Sequence, residues 1–403
     1  MDVYLARQPI FRKDKTIFGY ELLFREGMSN FFSGIDGNIA TSNVLSNSFF
    51  SIGIEKITGK GLAFINFTQD LLLEQAPLLF PSEKLVVEIL EDVEPTEKIL
   101  EACKEISGQG YQIALDDFSY HSGIEPLIAL SNIIKFDFIA TSQEDIERYI
   151  KKFSEYDVSF LAEKVETQEE FKTALEMGFD YFQGYFFSKP EILKERDISA
   201  GQLNLLEVMS EVNKSNFKFQ KVEEIVTRDV AIAYKLMRYI NSAYFRRGND
   251  VSSVKQAIIM LGERGIRSFL SLVAMTKLAE DKPNELIRSS IIRAKFCELL
   301  GKDNGSKVNS SELFTLGLFS SIDAILDDTM EGVMAKLPLS DSLNKALIYG
   351  EGELNDYLGL AKCYEKGDWE GVTKIRETIV IEEEELPVYF MEALSWAEAI
   401  TSL

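Results

Sequence analysis

Carboxylates and amides recur inside short apolar runs in the first part of this chain. Seven such runs follow one another: Glu21 to Arg25, Phe64 to Asn66, Val87 to Glu91, Ala114 to Phe118, Lys135 to Asp137, Leu161 to Glu166 and Tyr181 to Gly184. A carboxylate in a strand-like apolar run is costly to bury unless something offsets its charge. Seven runs of this kind point to one shared compensator, and a cluster of oxygen ligands around hard divalent cations supplies it. All-oxygen donor sets suit Mg2+ or Mn2+. Histidine is not required as a ligand, and the chain's one histidine, His121, reads as a polar loop residue.

The elements that must position these groups alternate along the chain. Val3 to Ala6, Ile17 to Leu23, Gly61 to Phe67, Leu85 to Leu90 and Gln112 to Leu115 read as strands. Asp70 to Ala76 and Pro95 to Ile106 read as helices between them, the second stopped by Gly108 and Gly110. Such alternation predicts parallel β/α units, and about eight strand candidates over this length fit a closed (β/α)8, TIM-like barrel. Barrel sites are built at the carboxyl ends of strands. Asp116 and Asp117 follow Ile113 to Leu115 directly, and two neighbours can face one site only where the strand is ending.

After Ser199 the strand signal stops. Leu203 to Val212, Val222 to Thr227, Val230 to Ile240, Val254 to Leu261, Ile266 to Leu278 and Glu285 to Leu300 carry apolar residues at helical spacing. The remainder to Leu403 is mostly helical, with breaks at Gly301 to Gly305, Pro338 and Gly350 to Gly352. The expected fold is α/β followed by all-α, with a barrel over residues 1–197 and a helical domain over 198–403.

A chain of 403 residues exceeds one core, which agrees with two domains. The formal net charge of −22 argues against binding a nucleic-acid duplex by its backbone, which needs a basic surface. It leaves room for a single nucleotide held by cations and a few arginines. Three scattered cysteines, Cys103, Cys297 and Cys363, give neither a zinc motif nor a disulfide framework and fit a reducing cytoplasm. No export-signal layout opens the chain, and no apolar run approaches the roughly 20 residues of a membrane helix.

On these motifs, residues 1 to about 195 resemble an EAL domain, the cyclic di-GMP phosphodiesterase family of bacterial second-messenger signalling. The rest resembles an HDOD domain, a helical relative of the HD phosphohydrolases. Gln8-Pro9-Ile10 and Gly19 to Arg25 resemble the subgroup that joins the two. The resemblance implies Glu21, Asn66, Glu88, Asp116 and Asp117 as metal ligands, with Asp116 bridging two ions. It implies Lys135 and Glu163 as catalytic groups, Lys135 acting on the attacking water. It further implies Arg25, Glu166 and Gln183 around the ligand and Glu91 as a loop anchor. Leu22 replaces the family's name-giving alanine, and Leu90 the threonine before Glu91.

One departure concerns the loop after the double aspartate, where the family carries Phe-Gly-Thr-Gly-Tyr-Ser and this chain carries Phe118 to Gly123. Ser119, Tyr120 and His121 stand where that pattern has Gly-Thr-Gly, so the loop must run differently. Two readings stay open: hydrolysis of cyclic di-GMP to linear pGpG by two-metal chemistry, and a catalytically impaired receptor or interaction scaffold. Restoring Gly-Thr-Gly is expected to raise turnover. In the helical half Ser320 and Ser321 stand where an HD site has its histidine and aspartate, which excludes HD catalysis there. Asn241 to Ala243 and Leu261-Gly262 match HDOD and read equally as a packed helix turn or a ligand contact. The implied partners are cyclic di-GMP and an unidentified protein bound by the HDOD half. No membrane contact is expected, and a homodimer is compatible with the sequence.

Overall fold

A computed structural model describes residues 3–26, 54–118, 120, 123–189, 218–228, 230–242, 244–245, 251–279, 282–302, 308–335, 337 and 339–401. It divides into two compact units, Met1–Lys189 with Glu365–Asp368, and Pro190–Tyr364 with Trp369–Leu403.

Eight strands close the first unit into a barrel: β1 (Val3–Arg12), β2 (Ile17–Glu26), β3 (Leu62–Phe67), β4 (Leu85–Ile89), β5 (Gln112–Leu115), β6 (Ile133–Asp137), β7 (Ser159–Glu163) and β8 (Tyr181–Gln183). From β2 to β8 all neighbours are parallel. Strand β1 departs from the parallel β/α pattern, running antiparallel to both β2 and β8. The reason is the connection. Only residues 13–16 separate β1 from β2, enough for a hairpin and far too few for a parallel crossover.

Described helices are α1 (Ile54–Thr58), α2 (Gln69–Leu73), α3 (Glu97–Gly108), α4 (Glu125–Ile128), α5 (Gln143–Phe153) and α6 (Gln168–Met177). Helix α3 buries Ile99, Ala102, Cys103 and Ile106, one stripe at helical spacing, and starts where the Thr96 hydroxyl accepts the Ile99 N–H. Helix α6 opens on a capping box, with Thr167 and Glu170 each accepting the other's backbone N–H. These helices cover the outside, while Ile10, Phe18, Phe64, Val86, Ala114, Ile133 and Leu161 fill the interior.

Gly19 makes that filling possible. A Cβ there would stand 2.7 Å from the Leu62 carbonyl oxygen and 2.9 Å from the Phe64 ring. Any side chain would displace the ring that floors the barrel beneath Glu21.

Among its described residues the second unit's regular elements are all helices. It runs from α7 (Phe219–Arg228) through α8 (Val230–Ile240), α9 (Val254–Leu278), α10 (Asn284–Leu300) and α11 (Ser310–Phe319), then through shorter helices to Glu385–Thr401. The expected gap between Leu261 and Ile266 is a kink inside α9 at Gly262 (φ 66°, ψ −176°). Leu236, Tyr239, Ile266, Phe269 and their neighbours form a core across α7, α8 and α9. The expected helix Leu203 to Val212 lies outside the described residues. Among the described residues no helix is long and apolar enough to cross a membrane.

Candidate active site

The site follows from strand alternation. Phe64, Val86, Ala114, Ile133 and Leu161 belong to the interior apolar layer, and Tyr181 packs against it. Two residues further along lie Asn66, Glu88, Asp116, Lys135, Glu163 and Gln183. A step of two keeps a side chain on the same face of a strand. A polar layer therefore sits directly above the apolar floor, at the strands' carboxyl ends. Because β1 is antiparallel, its contribution comes from the other direction: Gln8 stands two residues before Ile10 and pairs in register with Glu21.

Lys135 occupies the middle of this layer. Its Nζ lies 2.6 Å from Asp116 Oδ1, 2.7 Å from Glu88 Oε1, 2.8 Å from Glu163 Oε1 and 3.4 Å from Glu21 Oε2. Lys135 and Glu88 are wholly buried, Glu21 and Glu163 nearly so. Glu21 Oε2 also accepts Gln183 Nε2 at 2.6 Å, and Gln183 Nε2 reaches Gln8 Oε1 at 3.0 Å. Asn66 Nδ2 lies 3.5 Å from Glu21 Oε1.

One ammonium does not offset four carboxylates. Burial pushes Glu88 well above the usual carboxylate range, Lys135 pulls it down, and Glu21 and Asp116 push it up; burial wins. The same contest moves Glu163 up to about 7, burial again outweighing Lys135. For Lys135 the balance tips the other way. Burial alone would lower it, but Glu163, Glu21, Glu88 and Asp116 hold it charged well above the ordinary lysine value.

The site has oxygens to spare. Asn66 Oδ1, Gln183 Oε1 and Glu88 Oε2 are buried and accept no protein hydrogen bond, while Glu88 Oε1 faces Lys135 Nζ at 2.7 Å. Buried acceptors are ordinarily satisfied, so this set fits a cation held by oxygen donors. No group of three or more acidic, histidine or cysteine side chains among the described residues is gathered on a point of its own to hold an ion; the acids gather on Lys135.

Asp117 is brought to the same cleft by its backbone. Strand β5 ends at Leu115, and Asp117 adopts φ +39°, a left-handed conformation uncommon outside glycine. The cleft is lined by Gln8, Glu21, Asp116, Asp117, Glu163, Glu166 and Gln183. Glu166 is exposed on its rim, 3.8 Å from Lys189. Gly184 closes the last strand at φ +142°, where a Cβ would stand 2.1 Å from the Val165 carbonyl oxygen. Glu91 stands exposed in the turn after β4. The Arg25 side chain, Ser119, His121 and Ser122 lie outside the described residues.

Tyr120 is described, and it is clamped. Its hydroxyl bonds Glu125, Lys152 Nζ sits 3.5 Å over its ring, and the ring packs beside Tyr149 and Phe153 of α5. Phe118 meets the same two rings, and its N–H donates to the Lys135 carbonyl at 3.1 Å.

Sequence reasoning missed Gln8 and the pair Asp137–Lys164 as parts of the site. Gln8 was visible only as one member of an opening motif, because its place beside Gln183 depends on the antiparallel register. Asp137 and Lys164 lie inside two of the seven polar runs, and their spacing alone gives no reason to pair them.

In the helical unit, Asn241 is a staple. Its Nδ2 donates to Met237 and Val251 carbonyls at 3.0 and 2.9 Å, and its Oδ1 accepts the Val251 N–H at 2.8 Å. That is the packed-turn reading, with each polar atom of the amide engaged by backbone. Buried Arg293 donates to Ser320 Oγ at 2.6 Å and Ser321 Oγ at 3.1 Å. A fixed guanidinium stands beside both serines.

Comparison with known proteins agrees with this anatomy. The family model for the EAL domain matches residues 40–190, and that for the HDOD domain matches residues 203–337. The cyclic di-GMP phosphodiesterase CdgJ of Vibrio cholerae is 37% identical over 403 residues, covering 99% of this chain and 93% of CdgJ. YuxH of Bacillus subtilis is 35% identical, covering 98% of each. Among solved structures, a standalone EAL protein of Vibrio cholerae in its c-di-GMP bound form is 28% identical over 47% of this chain and 92% of that one, with a TM-score of 0.38. The chain belongs to the family that joins an EAL domain to an HDOD domain.

Proposed function

We propose that this chain is a cyclic di-GMP phosphodiesterase that opens the cyclic dinucleotide to linear pGpG, using two divalent cations, Mg2+ or Mn2+. The observation that carries this reading is the convergence of Glu21, Glu88, Asp116 and Glu163 on buried Lys135 at the strand ends of an EAL barrel. The near full-length likeness to CdgJ supports it.

Glu21, Asn66, Glu88 and Asp116 would hold one cation, and Asp116 with Asp117 the other. The unpartnered Asn66 Oδ1 and Glu88 Oε2 are the donors such an ion needs. Bound there, the cations would supply Lewis acidity toward the phosphoryl oxygens and lower the pKa of water. Lys135 would orient the attacking water and offset the charge that builds on the phosphoryl group. Glu163, held near 7, is poised to exchange a proton at neutral pH. Arg25, Glu166 and Gln183 would bind the dinucleotide, and Gln183 also fixes Glu21 from the β8 side. Glu91 would act at the loop rather than at the cluster. The helical half, with Arg293 and two serines at the altered HD position, would serve a protein partner instead of chemistry.

The test is incubation with cyclic di-GMP and Mg2+ or Mn2+, followed by chromatography and a parallel binding titration. Linear pGpG is the expected product. Binding without product would make the chain a receptor, and neither would make it a scaffold.

A further inference from the structure

Beyond the polar layer, one ammonium is held out over the cleft by the barrel itself. Lys164 follows Glu163 directly, one residue past the end of β7, and lines the same cleft as Asp116 and Asp117. Its backbone is left-handed, at φ +57°. A non-glycine residue in that region costs free energy that the surrounding structure must maintain, and such residues cluster at functional sites. The side chain is tethered: Lys164 Nζ pairs with Asp137 Oδ2, while the lysine stays 55% exposed and Asp137 only 14%. Asp137 is itself fixed at the end of β6, where its Oδ1 accepts the Ile139 and Ala140 N–H groups at 2.8 Å each. Strand register sets Asp137 opposite Glu163, so the next residue along β7 reaches back across to it. A cation anchored by a largely buried, doubly bonded aspartate is preoriented, and binding it to an anion costs little ordering.

Depth separates its task from that of Lys135. Lys135 is wholly buried among the acids at the bottom, where the reacting phosphodiester would lie. Lys164 stands at the rim. A cyclic dinucleotide carries two phosphodiesters, and while one is seated at the bottom the other projects outward. We propose that Lys164 is a substrate-binding residue that takes the second, non-reacting phosphodiester of the cyclic dinucleotide. The proposal rests on the phosphodiesterase reading above and adds a residue that sets affinity and preference for a doubly anionic ligand.

The experiment compares the full chain with Lys164→Met, Lys164→Arg and the double variant Lys164→Met/Asp137→Asn, all with Mn2+. Two substrates are used: cyclic di-GMP and bis(4-nitrophenyl) phosphate, which has a single phosphodiester. With cyclic di-GMP, Lys164→Met should raise KM about tenfold or more, the scale of one charge-assisted hydrogen bond, with kcat changed less than threefold. Lys164→Arg should retain most of the affinity. With the single phosphodiester, wild type and Lys164→Met should agree within twofold. The double variant decides against a merely structural role. If Lys164 only neutralises Asp137, removing both charges restores the wild-type KM, and the proposal is overturned. If KM stays raised, Lys164 meets the ligand. An unchanged KM in Lys164→Met, or an equal loss on both substrates, also overturns it. Failure of the wild type to cleave cyclic di-GMP would instead strike the phosphodiesterase reading, and a binding titration with the same variants would then decide the role of Lys164.

Discussion

Asp116 Oδ1, just past the end of β5, and Lys135 Nζ on β6 stand 2.6 Å apart, the shortest of the four approaches of a carboxylate to that ammonium. Asp116 is also the carboxylate proposed to bridge both cations. Asp116→Asn should therefore abolish metal-dependent stabilisation while leaving the fold intact. In the wild type, an ion at about 100 times its Kd should raise the melting temperature by roughly 5–10 °C. A thermal melt with and without Mn2+ checks this, and an equal rise in wild type and variant would remove Asp116 from the metal site.

Lys135 is expected to work on the nucleophile rather than on holding the ligand. Lys135→Met should lower turnover roughly 100-fold or more, with cyclic di-GMP binding within a few-fold. The structure adds a stability cost. Removing the single ammonium leaves buried Glu88 and Glu163 without a counter-charge, and breaking a buried pair costs about 3–5 kcal/mol. Denaturant unfolding in a chelator should register that loss, and added Mn2+ should recover part of it. Equal losses of binding and turnover would assign Lys135 to ligand electrostatics.

Glu163 gives a pH dependence with a definite sign. Its carboxyl is raised from 4.5 to about 7 in the folded chain, mainly by burial. Folding thus favours its protonated form, so its contribution to stability is complete below 4.5 and is lost as pH rises toward about 7. In a chelator, wild-type stability should fall across that window more steeply than that of Glu163→Gln. Parallel curves for the two proteins would show that Glu163 titrates normally.

The clamp on Tyr120 bears on one expectation from sequence. Replacing Ser119, Tyr120 and His121 by Gly-Thr-Gly was expected to raise turnover. Tyr120, however, is held by Glu125, Lys152 and the α5 rings, and it lies three residues from Asp117. Glu91, the implied anchor, is exposed. The triple variant removes the Tyr120 clamp. It should lower turnover by about tenfold, the scale of losing a ligand's support. Tyr120→Phe, which keeps the ring over Lys152, should lose less. Steady-state rates at saturating Mn2+ decide this, and a gain in the triple variant would restore Glu91 as the anchor.

Much of this was legible in the residues. The barrel followed from alternating runs, and the polar layer from acids placed inside them. Period-two alternation then explains why Asn66, Glu88, Asp116, Lys135, Glu163 and Gln183 share one level: each stands two steps above an apolar side chain of the floor. What could not be read was the relation between strands. The antiparallel course of β1 brings Gln8 to Gln183, and the crossing from β7 to β6 brings Lys164 to Asp137. Spacing along one strand carries no information about either. The gathering of four acids on Lys135 was likewise hidden, because each lies on a different strand and only barrel closure makes them neighbours. In the helical half the sequence left Asn241 open between packing and binding, and only the Val251 backbone, ten residues away, resolves it.

The central claim is tested most directly by initial rates of cyclic di-GMP loss and pGpG appearance, followed by chromatography, for wild type and Asp116→Asn with Mn2+ and with a chelator. The wild type with Mn2+ should form one pGpG per cyclic di-GMP consumed. No product is expected in the chelator, and none from Asp116→Asn under either condition. Tight binding of intact cyclic di-GMP by the wild type with no pGpG at saturating Mn2+, or equal rates in wild type and Asp116→Asn, would contradict it.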